Sequence, residues 1–82
     1  MNINNVLYYV DSTAKFYFDV KVIRIIKDLK CKQPLYECEI LYNNYKFNDN
    51  NFKPNFSLKG KKDIFSTLLL VNTINEAERM IK

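Results

Sequence analysis

Two runs of alternating residues and one helix-start signature point to a small α+β domain. The expected form is an antiparallel β-sheet or partly open barrel of about five or six short strands with one C-terminal helix. The first run is Lys15–Lys27, where Phe16, Phe18, Val20 and Val22 alternate with Lys15, Tyr17, Asp19 and Lys21. The second is Leu35–Tyr42, where Tyr36, Cys38, Ile40 and Tyr42 share a face and Glu37 and Glu39 mark the other as solvated. A period of two is what a half-buried strand requires. The helix signature is Thr73 followed three residues later by Glu76, the pattern of a capping box.

The remaining elements follow in chain order. Val6–Val10 reads as the opening strand, and Asp11-Ser12-Thr13 as the turn into the long one. Within the long strand the alternation slips at Val22-Ile23. A β-bulge there returns Ile23 and Ile25 to the core face, or else both faces are covered at that end, since Ile25 and Ile26 are adjacent. Asp28–Pro34 reads as a turn, because Pro34 has no N–H for a ladder. Asn43-Asn44, set between Tyr42 and Tyr45, reads as a two-residue hairpin turn, since asparagine tolerates positive φ. Tyr45–Phe47 is then the return strand, and Asn48–Asn55 a loop. Phe56–Leu58 reads as a strand that turns at Lys59-Gly60-Lys61-Lys62, with Gly60 taking positive φ at least cost.

Ile64–Val71 reads as a last strand. The alternative is one long helix from Ile64 to Ile81 capped by Asp63, but Asn72 and Thr73 are poor mid-helix residues. After Thr73, the residues Ile74, Ala77, Met80 and Ile81 share one helix face. Glu76, Glu78, Arg79 and Lys82 share the other, with Glu78 and Lys82 spaced for an i,i+4 pair. The helix is expected to pack across one face of the sheet or to close an open barrel. Strand counting does not choose between an SH3-like and an OB-like barrel.

Composition narrows the function. The chain has 82 residues, which makes 1–82 a single domain. Its hydrophobic fraction of 48 % supports a core. A domain of this size buries only ~60 % of its unfolded surface, so it is expected to be marginal alone or completed by a partner. There is no histidine, which removes every catalytic triad or metal site built on imidazole. The single glycine, Gly60, cannot make a phosphate-cradling loop. Cys31 and Cys38 are seven apart, which is not a CxxC spacing. No cofactor and no enzymatic activity are expected.

No apolar run approaches the ~18 residues of a membrane span. No basic residue precedes the apolar stretch within the first ten, so no secretory signal is read there. The expected location is cytoplasmic, with both cysteines reduced.

Thirteen Lys and Arg against nine Asp and Glu give a net charge of +4. That balance suits nucleic acid or an acidic protein surface. Eleven of the thirteen cations are lysine, a flexible point charge, which weighs against sequence-specific DNA reading. Asn, Lys, Ile, Tyr and Phe together supply 42 residues, all with A/T-rich codons. This reads as a low-GC genome and makes individual Lys and Asn positions less informative.

Several residues stand out against that background. Tyr17, placed between Lys15 and Lys21 on the outward side of the long strand, is an aromatic among cations. It suits base stacking or a protein contact, unless the C-terminal helix covers it. Phe47, Phe52 and Phe56 fall in an otherwise polar window, and at least one of them is expected to be exposed as a contact residue. Lys59, Lys61 and Lys62 crowd one turn, and Lys27, Lys30 and Lys32 another, while Lys46 and Lys53 flank the Asn-rich loop. Two such loops at one end of a barrel would form a basic rim.

Cys31, between Lys30 and Lys32, has the flanking charge of a reactive thiol but no accompanying base. Cys38 reads as a small core hydrophobe. Glu37 and Glu39 sit ~7 Å apart by strand geometry, close to the spacing of paired catalytic carboxylates, yet no pocket accompanies them. With Asp19 they read better as an acidic strip for a basic partner.

The functional expectation is a non-catalytic protein-binding module. Its most economical form is a small phage or mobile-element inhibitor or adaptor acting on a host protein or nucleoprotein, of the anti-CRISPR type of anti-defence protein. The alternative is a single-stranded nucleic-acid-binding β-domain that stacks bases on Tyr17 and holds phosphates with its lysine turns. The partner is expected to be a protein or nucleoprotein, with direct nucleic-acid contact and a homo-oligomer both compatible, and no membrane.

Overall fold

A computed structural model describes residues 3–27, 33–48 and 53–82 of the chain. It contains an antiparallel five-stranded sheet, not closed, with one C-terminal helix. The strands are β1 (Val6–Asp11), β2 (Phe16–Ile26), β3 (Leu35–Phe47), β4 (Lys62–Ser66) and β5 (Leu70–Val71), and the helix is α1 (Ile74–Met80). Short 3₁₀ turns occupy Phe56–Leu58 and Thr67–Leu69.

The strand order is β4-β3-β2-β1-β5. β4 and β5 therefore lie at opposite edges, although only the second 3₁₀ turn joins them. In a flat sheet the outer strands of five would stand ~19 Å apart, whereas three 3₁₀ residues advance only ~6 Å. The sheet must curl until its two edges approach at that corner. Phe65 of β4 accordingly packs its ring 5.2 Å from Tyr9 of β1, across the two strands that lie between them in the ladder. This is an up-and-down meander opened between β4 and β5. It excludes the crossed Greek-key order of an OB barrel and is compatible with an SH3-like one.

The concave face holds the main core: Leu7, Phe18, Val20, Val22, Tyr36, Cys38, Ile40, Tyr42, Phe65 and Leu70. The alternation of β2 supplies its inward residues as expected. The register also shifts between Val22 and Arg24, which is the bulge expected at Val22-Ile23. Cys38 is fully buried and free, and burial pushes its thiol up to about 11, with Glu37 adding to the effect. It is a packing residue.

A smaller core forms on the convex side, where Ala77 and Ile81 of the helical segment press on Val10 and Tyr17, with Tyr8 and Val71 beside them. Thr73 caps the helix as expected, its hydroxyl oxygen accepting the Glu76 N–H at 3.2 Å. Ile74 and Met80, expected on the buried face, are instead exposed, because α1 is one short contact wide and only Ala77 and Ile81 meet the sheet.

Three local expectations are corrected. Asn43-Asn44 is not a hairpin turn: β3 runs unbroken through it as a thirteen-residue strand. Positive φ falls on Tyr42 (50°), and the Asn43 and Asn44 N–H groups are taken up by Asp19 rather than by a turn. Phe56–Leu58 is a 3₁₀ turn, not a strand, because the Asn55 side chain accepts the Ser57 N–H and hydroxyl and curls the backbone. Ile64–Val71 is two strands, broken where the Ser66 hydroxyl oxygen accepts the Leu68 N–H at 3.3 Å. The turn at Gly60 is as expected, with φ of 82°.

The outer strand β4 is a blunted edge. Lys62 and Asp63 are charged, and the Asp63 carboxylate accepts the Ile64 N–H at 2.8 Å.

Phe65 ties β4 across the curl to β1 and β2 through its contacts with Tyr9 and Phe18, so Phe65→Ala is expected to cost about 3–5 kcal/mol. Leu68→Ala, at the most exposed apolar position, is expected to change stability by less than about 0.5 kcal/mol. Urea denaturation of the two variants against wild type checks both.

Candidate interaction surface

Among the described residues, Tyr45 and Phe56, 41 % and 54 % accessible, are the exposed rings of an aromatic system whose other members are buried or half-buried. Tyr45 comes from the end of β3 and Phe56 from the first 3₁₀ turn. Their centroids lie 5.4 Å apart at 72°, an edge-to-face pair. Both rings also meet buried Tyr42 edge-to-face, at 5.8 and 5.7 Å. Tyr45 further contacts Phe47 at 6.3 Å, and Phe47 stacks on Phe16 at 4.9 Å. Behind them Tyr42 packs on Phe18 and Phe18 on Tyr9, so the exposed pair is backed by the main core.

The lysine turn is docked beside this pair. The Gly60 N–H donates to the Ile40 carbonyl at 2.7 Å, and the Ile40 N–H donates to the Lys61 carbonyl at 2.8 Å. Residues 59–62 are thereby fixed to β3 two positions from Tyr42. Lys59, Lys61 and Lys62 are all exposed. Lys53 is exposed three residues before Phe56. The arrangement is an apolar centre with a cationic flank.

The other expected site residues divide differently. Tyr17 is buried, not an outward platform: α1 lands on it, and its hydroxyl donates to Glu78 Oε1 at 2.8 Å. Lys46, its cross-strand partner in register, donates to Glu78 Oε2 at 3.0 Å. Glu78 is thus drawn to the sheet instead of pairing along the helix with Lys82. Burial first, and then the hydrogen bond to Glu78, push the Tyr17 phenol up to about 12. Tyr17 and then Lys46 hold the Glu78 carboxyl below its ordinary range.

Lys15 lies in the turn before β2 with φ of 64°, its Nζ donating to the Lys82 carbonyl at 3.3 Å, near the helix end and away from the lysine turn. Lys21 and Lys62 flank Glu39 in cross-strand register. Phe47 is half-buried in the aromatic stack. Phe52, Cys31, Lys30 and Lys32 lie outside the described residues. The structure therefore gathers Lys59, Lys61 and Lys62 beside Phe47's neighbours, and separates Tyr17 and Lys15 from them.

The acidic strip is not formed. Asp19 is buried, Glu37 pairs with Arg24 at 3.3 Å, and Glu39 stands between two lysines. Among the described residues no three Cys, Asp or Glu side chains are gathered as a metal ion would need. No helix among them is long and apolar enough to cross a membrane. Tyr45 is the exposed ring that sequence reasoning did not single out, because it reads as an ordinary strand position. Comparison of the chain with protein-family models, with curated proteins and with solved structures gives no match.

The folded pKa of Tyr17 lies above the ordinary value of 10.0, so folding favours its protonated form. That contribution is complete below pH 10 and is lost as pH rises toward 12, on the order of 2 kcal/mol in all. Burial and nearby carboxylates also raise Tyr9, so tyrosinate absorbance is expected to lose its latest-ionising component in Tyr17→Phe, whose stability should also fall less steeply over that range. A Tyr17→Phe titration identical to wild type would contradict the burial and the Glu78 bond together.

Proposed function

We propose that the chain is a non-catalytic protein-binding module, with Tyr45 and Phe56 as the anchors of its contact face and the Lys59–Lys62 turn as its basic rim. The observation that carries this reading is the exposed edge-to-face pair, held over a buried aromatic stack beside exposed lysines. Large rings at the centre of a patch with charge at its margin are the usual anatomy of a protein hot spot. The partner chemistry that fits is a protein surface with an apolar pocket and an acidic border.

Nucleic acid is the less favoured ligand. A stacked base needs an open ring face. Here Tyr45 already meets three rings and Phe56 two. Tyr17, the stacking residue of the alternative reading, is covered. A stoichiometric inhibitor or adaptor is the form that a short, histidine-free, lysine-rich chain favours, and the A/T-rich composition suits the phage or mobile-element setting of an anti-defence protein.

The test is affinity capture from a low-GC bacterial lysate with and without nuclease, using wild type, Tyr45→Ala, Phe56→Ala and Leu68→Ala. The expected result is a protein that survives nuclease and is retained by wild type and Leu68→Ala. Its affinity for Tyr45→Ala and Phe56→Ala should fall by at least ~30-fold, the scale of a hot-spot residue. Retention of nucleic acid alone, with binding that falls steeply with salt, would overturn the reading, as would equal retention by all four proteins.

A further inference from the structure

Asp19 is the buried charged side chain among the described residues, 1 % exposed, and no cation pairs with it. Its carboxylate is instead filled by β3. The Asn43 and Asn44 N–H groups donate to Oδ1 at 2.8 and 3.1 Å, and Asn44 Nδ2 reaches Oδ2 at 3.5 Å. These N–H groups belong to an irregularity in the ladder. Phe18 pairs with Tyr45 and Val20 with Ile40, so two steps along β2 are matched by five along β3. The extra residues leave the ladder, and their donors turn to an acceptor on another strand. Asp19 stands between Phe18 and Val20 and supplies it.

The bulge decides which way the rings of β3 face. Before it, the even residues Tyr36, Cys38, Ile40 and Tyr42 point to the concave core. Regular alternation would keep Tyr45 and Phe47 on the opposite face from Tyr42. After the bulge the parity is reversed. Tyr45 pairs with Phe18 and Phe47 with Phe16 on the concave side, and Tyr45 comes to lie against Tyr42 and Phe56. Lys46 is turned at the same time to the convex side, where it meets Glu78.

We propose that Asp19 is a positioning residue for the aromatic contact face: by holding the β3 bulge at Asn43 and Asn44 it sets Tyr45 beside Phe56. The inference deepens the protein-binding reading and rests on it for its functional meaning. Its structural content is independent of any partner.

The experiment is amide hydrogen exchange and ring-to-ring nuclear Overhauser measurement on the free protein, for wild type, Asp19→Ala and Asp19→Asn. In wild type the Asn43 and Asn44 amides should be protected although both residues are exposed. In Asp19→Ala they should exchange on the order of 10–100-fold faster, the scale set by losing a hydrogen bond to a charged acceptor. The Tyr45–Phe56 contact should weaken, while Val10 and Phe65 amides stay as protected as before. Asp19→Asn, which keeps one carbonyl acceptor, should recover part of the ring contact.

Uniform loss of protection across the sheet would mean a general structural role and overturn the proposal. So would unprotected Asn43 and Asn44 in wild type, or an unchanged Tyr45–Phe56 contact in Asp19→Ala. If Asp19→Ala does not fold, wild-type protection and the Asp19→Asn ring contact decide in the same terms. Because no partner is present, this result and the capture result can each fail alone.

Discussion

The carboxylate of Asp19 is the point on which both sides of the sheet depend. A buried anion without a cation is costly to desolvate, by several kcal/mol before compensation. It is retained only where charged hydrogen bonds replace its water, and two backbone N–H groups do so here. The return is conformational. With the bulge in place, one strand serves two layers. Its first part feeds the main core with Tyr36, Cys38, Ile40 and Tyr42. Its last part sends Tyr45 and Phe47 to the aromatic stack and Lys46 to the helix. A regular β3 would exchange these faces, leaving Lys46 toward the core and two rings toward Glu78.

The helix is the second dependent element. Seven residues are too few for a stable helix in water. α1 persists because Ala77 and Ile81 are buried on β1 and β2, Thr73 caps its start, and Glu78 is clasped by Tyr17 and Lys46. The clasp needs Lys46 on the convex face, so it inherits its geometry from the bulge. The short helix in turn accounts for the burial of Tyr17. An aromatic between two lysines is an attractive surface residue until a neighbouring element is found to cover it.

What the sequence made legible was local. The alternation of Phe16 to Val22, the slip at Val22-Ile23, the positive φ at Gly60 and the Thr73 cap each have a cause within a few residues of their effect. Tyr17 could not be placed in this way, because its burial depends on where a helix more than fifty residues later comes to rest. Asn43-Asn44 was misread as a hairpin turn for a sharper reason. A hairpin and an odd-numbered bulge both explain why Tyr42 and Tyr45 look inward, and the acceptor that selects the bulge lies on another strand. Phe56–Leu58 and Ser66–Leu68 were misread through side-chain oxygens, since Asn55 and Ser66 bend the backbone where the apolar pattern alone suggests a strand. For the candidate site, the polar window containing Phe47 and Phe56 was a usable signal. Tyr45 gave none, because its exposure follows from the bulge.

Continuity between core and surface gives the aromatic face its physical character. The rings form one connected series from Phe65 through Tyr9, Phe18 and Tyr42 to Tyr45 and Phe56. The inner members are fixed by core packing, and the outer two are fixed by the inner ones and by each other. A contact face held in this way loses little side-chain freedom when it is covered, and that loss is one of the main costs of association. Lysines provide the opposite kind of contact, long and mobile, suited to steering an acidic surface inward more than to holding it. Rigid rings at the centre and flexible charge at the margin therefore divide the work of binding. On the proposed protein-binding reading, the rings control how long a partner stays and the lysines how quickly it arrives, and only the first of these depends on Asp19.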